Sequence, residues 1–426
     1  MKEHFPKAAQ GRIRNMPSEA ALYMQKSFQK GRLKRQTLPT ITQWIMAKQP
    51  TMTQKNILKK KDYVDYPEVM KVKDAYFKKI FAQTWEITKD TEDFQTFFKE
   101  NKDWLIPYAE FCLHKRCLSL SKALPVTSTS SVTEQPEFYY FLQYHLDKQL
   151  KEAVDYLHDK GIALKGDIPI GIGRESVEAY TNPKLFNLNC QAGAPPDVFA
   201  TEGQNWGFPT YNWDAMAKDD YKWWRERLTQ VSRYFDAYRI DHILGFFRIW
   251  EIPYESIQGL LGYFSPAIGY QQSVVSSQLS ANEERLTKPY IRGHFLHEYF
   301  GEYTEEVREK YLNETSFSYF ELKEEFNTQR KITDYFLRQQ TTDNRQQSDK
   351  DEKIRNGLIS LCAEVLFVKD KNNTLHPRIA LQFTHSYNEL EDYQKDNINR
   401  LYDEYFYHRN EELWEKEALK KLPKII

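Results

Sequence analysis

The residues best suited to chemistry lie at positions 235–247, which read Phe-Asp-Ala-Tyr-Arg-Ile-Asp-His-Ile-Leu-Gly-Phe-Phe. Side chains alternate between the faces of a β-strand, so Arg239 and Asp241 are predicted to share one face. A cation within about 4–6 Å of a carboxylate lowers the pKa of that group and keeps it ionised. An ionised carboxylate at the carboxyl end of a strand has the properties of a nucleophile. Asp241 is therefore the candidate nucleophile, and a purely structural ion pair with Arg239 is the alternative.

Two strands and one helix are predicted to position this segment. Residues 162–170 form a short apolar strand that carries Asp167 near its end. Residues 221–234 form a helix whose apolar stripe includes Trp224. The next strand, 235–243, then completes a strand–helix–strand unit, which predicts a parallel sheet.

The connection between these strands, residues 171–215, is rich in Gly, Pro, Asn and Trp. A compact domain rarely carries so long a loop without a use, so a binding loop or lid is predicted here. Trp206 and Trp213 are expected at the surface because Gly and Pro flank them. Core packing is the alternative for both side chains.

The composition restricts the classes of partner. The chain has 60 basic and 60 acidic residues, so its balanced charge implies no polyanionic partner. The first 60 residues are basic, and a nucleic-acid arm there is the least favoured alternative. No apolar run suits a membrane span. Four cysteines without metal spacing are typical of reduced thiols in a cytoplasmic protein. The 28 Tyr, 26 Phe and 9 Trp weakly favour a carbohydrate site.

The remaining patterns divide the chain into five parts. These are a basic segment (1–60), a helical subdomain (61–135), a core with the loop and nucleophile strand (136–253), a mainly helical insertion (254–395), and a helix leading toward a further strand (396–426). Within the insertion, 284–300 and 303–340 are predicted as helices, 341–353 as an exposed loop and 361–368 as a strand. Residues 388–421 are predicted as helix, and 422–426 as the start of a strand.

Seven motifs stand in an order that is typical of one enzyme family. They are Lys165-Gly-Asp-Ile-Pro-Ile-Gly171, Leu185-Phe-Asn-Leu188, Gly193-Ala-Pro-Pro-Asp197, Gly203-Gln-Asn-Trp-Gly207, Trp223-Trp-Arg-Glu-Arg227, Arg239-Ile-Asp-His242 and Arg248-Ile-Trp-Glu-Ile-Pro253. From Tyr66 onward the chain resembles the amylomaltases, or 4-alpha-glucanotransferases, of glycoside hydrolase family 77. Lys288-Pro-Tyr-Ile291 and Phe406-Tyr-His-Arg409 resemble the plant-cytosolic and Bacteroidetes branch of that family.

The resemblance implies an α/β fold, a (β/α)8 TIM-type barrel with helical insertions, of which only part is present. It implies that Asp241 is the nucleophile and Arg239 its neighbour. Residues implied to bind the glucan are Asp167, Asp197, Gln204, Asn205, Trp206, Tyr211 and His242. The implied partners are malto-oligosaccharides and other α-glucans, with no metal or organic cofactor, no nucleic acid and no membrane. The oligomeric state is not predicted.

One departure from the family pattern concerns the second carboxylate. A retaining glycosidase needs two carboxylates about 5–5.5 Å apart. The family takes its acid/base Glu from a Glu-Asp-Leu-Gly motif, which this sequence lacks. The expectation is a fragment whose acid/base Glu lies beyond Ile426, with Glu364 as a structural residue.

Three functions therefore remain open. The first is transfer of α-1,4-glucan segments through a covalent intermediate on Asp241, resolved by the 4-hydroxyl of a second glucan. The second is a non-catalytic glucan-binding fragment, or a product without a stable fold. The third is an α-amylase-type hydrolase, against which the Gly-Gln-Asn-Trp-Gly loop argues.

Overall fold

The computed structural model describes residues 64–123, 135–343 and 348–425. They fall into two compact units. The first, the helical unit, contains the described residues up to Leu164 and the short segment Tyr234–Ala237. The second, the strand unit, contains Lys165–Arg233 and Tyr238–Ile426. The five-part division stays a prediction, and its basic segment 1–60 lies outside the described residues, as does nearly all of the predicted loop 125–135.

The helical unit contains three long helices. They are α1 (Tyr66–Thr88), α2 (Glu92–Ala123) and α3 (Pro136–His158). The Asp65 side chain caps α1 by accepting a hydrogen bond from the Glu68 backbone. Helix α2 is continuous and carries Pro107 inside it. After α3, Gly161 adopts a left-handed conformation (φ 69°), which glycine commonly does just past the end of a helix.

Aromatic side chains form the core of the helical unit. One buried cluster in this unit consists of Phe94, Phe97, Leu105 and Tyr144. The rings of Trp85 and Phe94 meet edge to face, with centroids 5.1 Å apart. Such pairs stabilise a core beyond the area they bury, so the aromatic residues here have a packing role.

The strand unit begins with the predicted strand–helix–strand arrangement. Strand β1 (Lys165–Ile168) pairs with β6 (Ala237–Ile240). The Ala237 amide donates to Leu164 and the Asp241 amide to Ile168. These contacts advance in the same direction along both strands, so the pair is parallel, as predicted.

The connection 171–215 contains folded elements rather than one long loop. It contains α4 (Val177–Thr181), β2 (Phe186–Asn187), β3 (Cys190–Ala194), β4 (Gln204–Asn205), β5 (Thr210–Tyr211) and α5 (Trp213–Ala217). Helix α6 (Lys222–Ser232) follows and buries Trp224 and Leu228, as predicted.

An antiparallel sheet of order β4-β3-β7-β8 connects this region to the insertion. Strand β7 is Ile249–Pro253, and β8 is Tyr263–Ser265. The short strand β2 pairs with β5 in a separate ladder. The described residues are thus of mixed α/β class, and they form no closed barrel.

Residues 254–395, predicted as an insertion, contain helices and two small antiparallel sheets. Its elements are α7 (Gln272–Leu279), α8 (Glu283–Thr287), β9 (Ile291–Arg292), α9 (Leu296–Phe300), α10 (Thr304–Tyr311), β10 (Leu312–Ser316), β11 (Tyr319–Leu322), α11 (Gln329–Asp343), α12 (Asp349–Cys362), β12 (Phe367–Lys369), β13 (Leu375–Pro377) and α13 (His385–Asn388). Two further helices complete the chain, α14 (Asp392–Tyr407) and α15 (Glu411–Ile425).

Several sequence-based assignments in the second half of the chain are wrong. The range 284–300, predicted as a helix, is interrupted by strand β9, which pairs with β11. The range 303–340 contains a hairpin, β10–β11, because Tyr319–Leu322 alternates exposed and buried side chains with the period of a strand. Residues up to Cys362 continue a helix, because Ile354, Leu358 and Leu361 recur on one buried face. Helix α15 extends through the segment predicted to start a strand, because Ile425 is buried in the core of the strand unit.

Two further predictions concern an exposed loop and membrane-spanning helices. The predicted exposed loop 341–353 is partly helical at both ends, since α11 reaches Asp343 and α12 begins at Asp349. Among the described residues, no helix has the length and apolar character needed to cross a membrane.

Candidate active site

Asp241 lies directly after strand β6, where its side chain is exposed to solvent. Its backbone amide donates to the carbonyl of Ile168 at the end of β1, with N and O 3.1 Å apart. The parallel pair therefore fixes the backbone that carries Asp241 while leaving its carboxylate free to meet a ligand.

The Arg239 guanidinium binds Asp167 on the neighbouring strand. Nε lies 2.7 Å from Oδ1, and Nη2 lies 2.8 Å from Oδ2. This two-pronged geometry matches a planar guanidinium to a carboxylate and orients both groups. Because both side chains are more than half exposed, their attraction contributes at most about 1 kcal/mol to stability.

The partner of Arg239 differs from the one expected. Arg239 was predicted to keep Asp241 ionised, but its guanidinium contacts Asp167 and not Asp241. Side chains alternate between the two faces of a strand, and Asp167 and Arg239 both lie at exposed positions of the paired strands β1 and β6. The two side chains can therefore meet on one face of the sheet. The role of Arg239 toward Asp241 stays a prediction without a direct contact.

His242 occupies a left-handed backbone conformation, with φ 48° and ψ 58°. Few residues other than glycine adopt it, so the turn after Asp241 is tightly specified. Burial lowers the pKa of His242, against the opposing effect of the Asp241 charge. The imidazole is therefore neutral at neutral pH and suited to exchange hydrogen bonds with hydroxyl groups.

The loop Gly203–Gly207 approaches His242 through Trp206. The two ring centroids are 5.0 Å apart, and the rings meet edge to face. The Trp206 backbone amide donates to Ala192 on strand β3 over 2.9 Å. Gly203 and Gly207 both have positive φ, at 73° and 77°, and these turns place the tryptophan between them.

Gln204 and Asn205 hold this loop in shape. Trp206 donates from Nε1 to the Gln204 side-chain oxygen over 3.0 Å. The Asn205 amide group accepts from the Gly207 backbone and donates to the Ile257 carbonyl. The structure therefore gives both predicted ligand-binding residues a role in ordering the loop.

Asp197 organises the turn that precedes this loop. Its Oδ1 accepts from the backbone amides of Phe199 and Ala200 at 2.8 and 2.7 Å. The turn exposes two apolar side chains, with Val198 88% and Phe199 96% exposed. Sequence analysis missed both residues, because a Pro-Pro-Asp turn signal does not show which neighbouring side chains stay uncovered.

Tyr211 lies in the core, only 7% exposed. Burial raises the pKa of its hydroxyl to about 12, while Arg227 opposes that rise. Its ring contacts Phe186, Trp223 and Trp224. Tyr211 therefore has a packing role, and its part in sugar binding stays a prediction.

Trp213 also belongs to this core rather than to the surface. Its ring lies nearly parallel to that of Trp224, at 13° and 6.4 Å. The buried ammonium of Lys421 lies 4.9 Å from the Trp213 ring centroid. Of the two tryptophans predicted at the surface, Trp206 alone remains beside the candidate active site.

Glu364 has a structural environment. It is 5% exposed. The Tyr299 hydroxyl donates to Oε1 at 2.7 Å, and the Ser386 backbone amide donates to Oε2 at 3.1 Å. Its carboxylate oxygens are occupied within the insertion, which supports the structural interpretation.

This arrangement suits attack on a neutral, polyhydroxylated substrate. An exposed carboxylate follows a parallel strand, and a neutral imidazole and an indole lie beside it. A family model described as 4-alpha-glucanotransferase (glycoside hydrolase family 77) matches residues 31–426. The chain belongs to this family. The family resemblance carried by the seven motifs is thereby confirmed.

Individual 4-alpha-glucanotransferases match over different lengths. The protein named 4-alpha-glucanotransferase DPE2 from Oryza sativa subsp. japonica is 39% identical over 389 residues, 87% of this chain and 41% of the rice protein. A 4-alpha-glucanotransferase from Chlamydia muridarum is 36% identical over 203 residues, 44% of this chain and 38% of its own length. This chain thus spans about two-fifths of the length of these relatives.

Solved structures also match. The amylomaltase from Streptococcus agalactiae in complex with acarbose is 29% identical, with a TM-score of 0.42. The match covers 48% of this chain and 45% of the amylomaltase.

Proposed function

We propose that this protein takes part in transferring α-1,4-glucan segments between malto-oligosaccharides, with Asp241 as the nucleophile. The observation that carries the proposal is the exposed carboxylate of Asp241 at the carboxyl end of a parallel strand. In β/α barrels this end of the strands carries the catalytic residues. Family membership supplies the substrate class.

The proposed reaction is a double displacement. The Asp241 carboxylate attacks the anomeric carbon, and the bond to the leaving glycosidic oxygen breaks as a second carboxylic acid protonates that oxygen. The resulting glycosyl ester is attacked by the 4-hydroxyl of another glucan, whose proton passes to the same second carboxylate. The ester bond breaks, and Asp241 returns to its starting state.

The loop beside His242 is proposed to favour sugar over water as the acceptor. Trp206 and the exposed Phe199 offer apolar surfaces on which the C–H face of a glucose ring can stack. A sugar held there displaces water from the glycosyl ester. Asp167, held by Arg239, is proposed to accept hydrogen bonds from hydroxyls of the donor sugar.

The second carboxylate is proposed to come from the part of such enzymes that this chain does not span. The sequence contains no Glu-Asp-Leu-Gly motif, and Glu364 is occupied elsewhere. Strands β1 and β6 are proposed to be neighbours in a (β/α)8 barrel. A cytoplasmic location is proposed from the free thiols of Cys112, Cys190 and Cys362.

A second candidate function is binding of α-glucans without turnover. The missing Glu-Asp-Leu-Gly motif favours it, because a glycosidic oxygen leaves slowly without a proton donor. The two functions therefore differ in chemistry at Asp241, not in the ligand that they recognise.

A donor that needs little acid assistance tests Asp241 directly. Fluoride is a good leaving group, so α-maltosyl fluoride is expected to glycosylate Asp241 even without an acid/base residue. The expected result is a maltosyl adduct in the intact mass and on the peptide containing Asp241. Asp241→Asn removes the adduct, whereas Asp396→Asn, at an exposed position of α14, leaves it unchanged.

The other outcomes separate the candidates. An adduct that persists in Asp241→Asn would make the assignment of the nucleophile wrong. Binding of maltoheptaose without any adduct would favour the binding function. An adduct on Asp241 with unchanged maltotriose would place the acid/base residue outside this chain.

A further inference from the structure

An aromatic surface on the insertion has no part in the reaction described above. Strands β10, β11 and β9 form its sheet in that order. Phe320 and Leu322 point into the core, so Tyr319 faces the other side, where it is 40% exposed. Phe317, at the tip of the hairpin, is 93% exposed. Two aromatic side chains are therefore presented to solvent within three residues.

Strand β9 supplies a guanidinium to the same face. Arg292 lies directly opposite Tyr319 in the ladder, and its Cζ atom is 3.8 Å from the Tyr319 ring centroid. The Tyr290 ring meets that of Tyr319 nearly perpendicularly at 6.3 Å. These contacts restrict the rotation of Tyr319, so little side-chain entropy remains to be lost on binding a ligand.

Glu389 fixes the polar side of this surface. Tyr290 donates its hydroxyl hydrogen to Oε2 over 2.6 Å, and Nε2 of His294 lies 2.8 Å from Oε1. Burial and the neighbouring Glu389 raise the pKa of Tyr290 to about 12, so its hydroxyl remains a donor. His294 is 60% and Glu389 28% exposed at their side chains, which leaves both within reach of a ligand.

The charges on this surface are balanced. Lys288 forms ion pairs with Glu284 and Glu321, and Arg292 lies 3.8 Å from Glu389. With acidic and basic groups paired, the surface offers no field that would attract a polyanion. Exposed rings bordered by fixed donors and acceptors are better suited to a neutral ligand with hydroxyl groups.

We propose that the surface formed by Tyr290, Arg292, His294, Phe317, Tyr319 and Glu389 is a second, non-catalytic binding site for an α-1,4-glucan chain. Tyr319 and Phe317 stack against the apolar faces of glucose units, and Glu389 and His294 exchange hydrogen bonds with the hydroxyls at their edges. The choice of an α-1,4-linked ligand rests on the proposed function. The Lys288-Pro-Tyr-Ile291 motif thereby receives a role, since Tyr290 braces the stacking ring.

Hydrogen exchange of the full chain with and without maltoheptaose tests this site separately from Asp241. The expected result is slower exchange in the hairpin 312–322, in addition to any protection of the loop 203–207. Tyr319→Ala is expected to raise the maltoheptaose concentration that gives half-maximal protection of the hairpin by roughly tenfold or more. Tyr407→Ala, which removes a tyrosine that is 65% exposed on α14, serves as the matched control.

Further variants keep the test decisive. Tyr319→Phe retains the ring and is expected to retain protection, and Phe317→Ala is expected to weaken it without touching the packed face of the hairpin. Unchanged hairpin exchange in the native chain, or equal protection by cellohexaose, would overturn the proposal. A failed proposed function would be seen elsewhere, as no adduct on Asp241 and no protection of 203–207.

Discussion

Both units enclose aromatic side chains in a core, and they differ in how far other aromatic side chains reach into solvent. In the helical unit, rings such as Phe94, Phe141 and Tyr144 are buried and meet edge to face. In the strand unit, Trp224 and Tyr211 form a comparable core, but Phe199 and Phe317 are more than nine-tenths exposed. The same residue types thus form a core in both units, and in the strand unit two rings are almost fully exposed.

This difference shows why aromatic content by itself indicates carbohydrate binding only weakly. A ring that other side chains enclose on both faces contributes to stability and cannot meet a ligand. A ring held at its edge, with one face uncovered, contributes little to stability and is available to a sugar. Exposure therefore separates the two roles, and substitutions should affect either folding or sugar chemistry.

The largest expected effect concerns an exposed residue outside both cores. Asp241→Asn should slow consumption of α-maltosyl fluoride by roughly 10⁴-fold or more, as expected when a covalent nucleophile is lost. The same change should alter the free energy of unfolding by less than about 0.5 kcal/mol, because the side chain is exposed. Fluoride release and urea unfolding measure the two quantities. A large loss of stability would mean that Asp241 is a structural residue.

Replacing an enclosed core ring should instead cause a large loss of stability. Trp224 is 1% exposed, so Trp224→Ala should lower the free energy of unfolding by about 3–5 kcal/mol. Trp104, which is 39% exposed in the helical unit, provides the matched control, and Trp104→Ala should cost about 1 kcal/mol or less. Urea titrations followed by circular dichroism measure both. Equal effects would remove the distinction between enclosed and exposed rings.

The helical unit should also respond to acid through His145. Burial, assisted by Lys148, lowers the pKa of His145 to about 4, and its Nε2 is buried without a hydrogen-bond partner. The unfolded chain, with a histidine pKa of about 6.5, then binds more protons than the folded one. Stability should fall by up to about 3 kcal/mol as the pH drops from about 6.5 to about 4.

Local hydrogen exchange in α3 between pH 7 and 4 measures this loss. His145→Phe keeps a ring but removes the titrating group, so the pH dependence should flatten. His297→Asn, at an exposed histidine of the strand unit, should leave the dependence in α3 unchanged. An identical slope in His145→Phe would assign the acid sensitivity to other groups.

The smallest effect is expected at Phe199. Because its side chain is 96% exposed, Phe199→Ala should leave the melting temperature nearly unchanged. It should lower the ratio of transfer to hydrolysis a few-fold, since one surface that excludes water from the glycosyl ester is lost. Product analysis in an intact, active 4-alpha-glucanotransferase carrying this segment checks the ratio. An unchanged ratio would mean that Phe199 does not help to exclude water, and would leave that role to Trp206.

The sequence predicted the elements that local patterns specify. Helix α6 and the strands around Asp241 follow from periodicity. The hairpin β10–β11 was not predicted, because its pairing with β9 depends on contacts that a local pattern does not encode.

The same limit applied within the candidate active site. Residue types and spacing predicted Asp241 and a binding loop within 171–215, and the family resemblance implied His242 and Trp206. They did not predict that Arg239 binds Asp167 or that Tyr211 is enclosed, since both facts depend on side chains distant along the chain. The exposure of Phe199 likewise depends on the tertiary packing around it, which the local sequence does not specify.

The bonds of Arg330 have a consequence for the modularity of the insertion. Arg330 donates to the Gln191 side chain on β3 and to the Tyr254 carbonyl, and its guanidinium stacks on Tyr254 at 3.9 Å. The insertion also supplies β8, which pairs with β7. Excising residues 254–395 would leave an open strand edge beside the sheet that supports the Trp206 loop, so the shortened protein should aggregate. Residues 254–395 are therefore an integral part of this sheet and not a removable module.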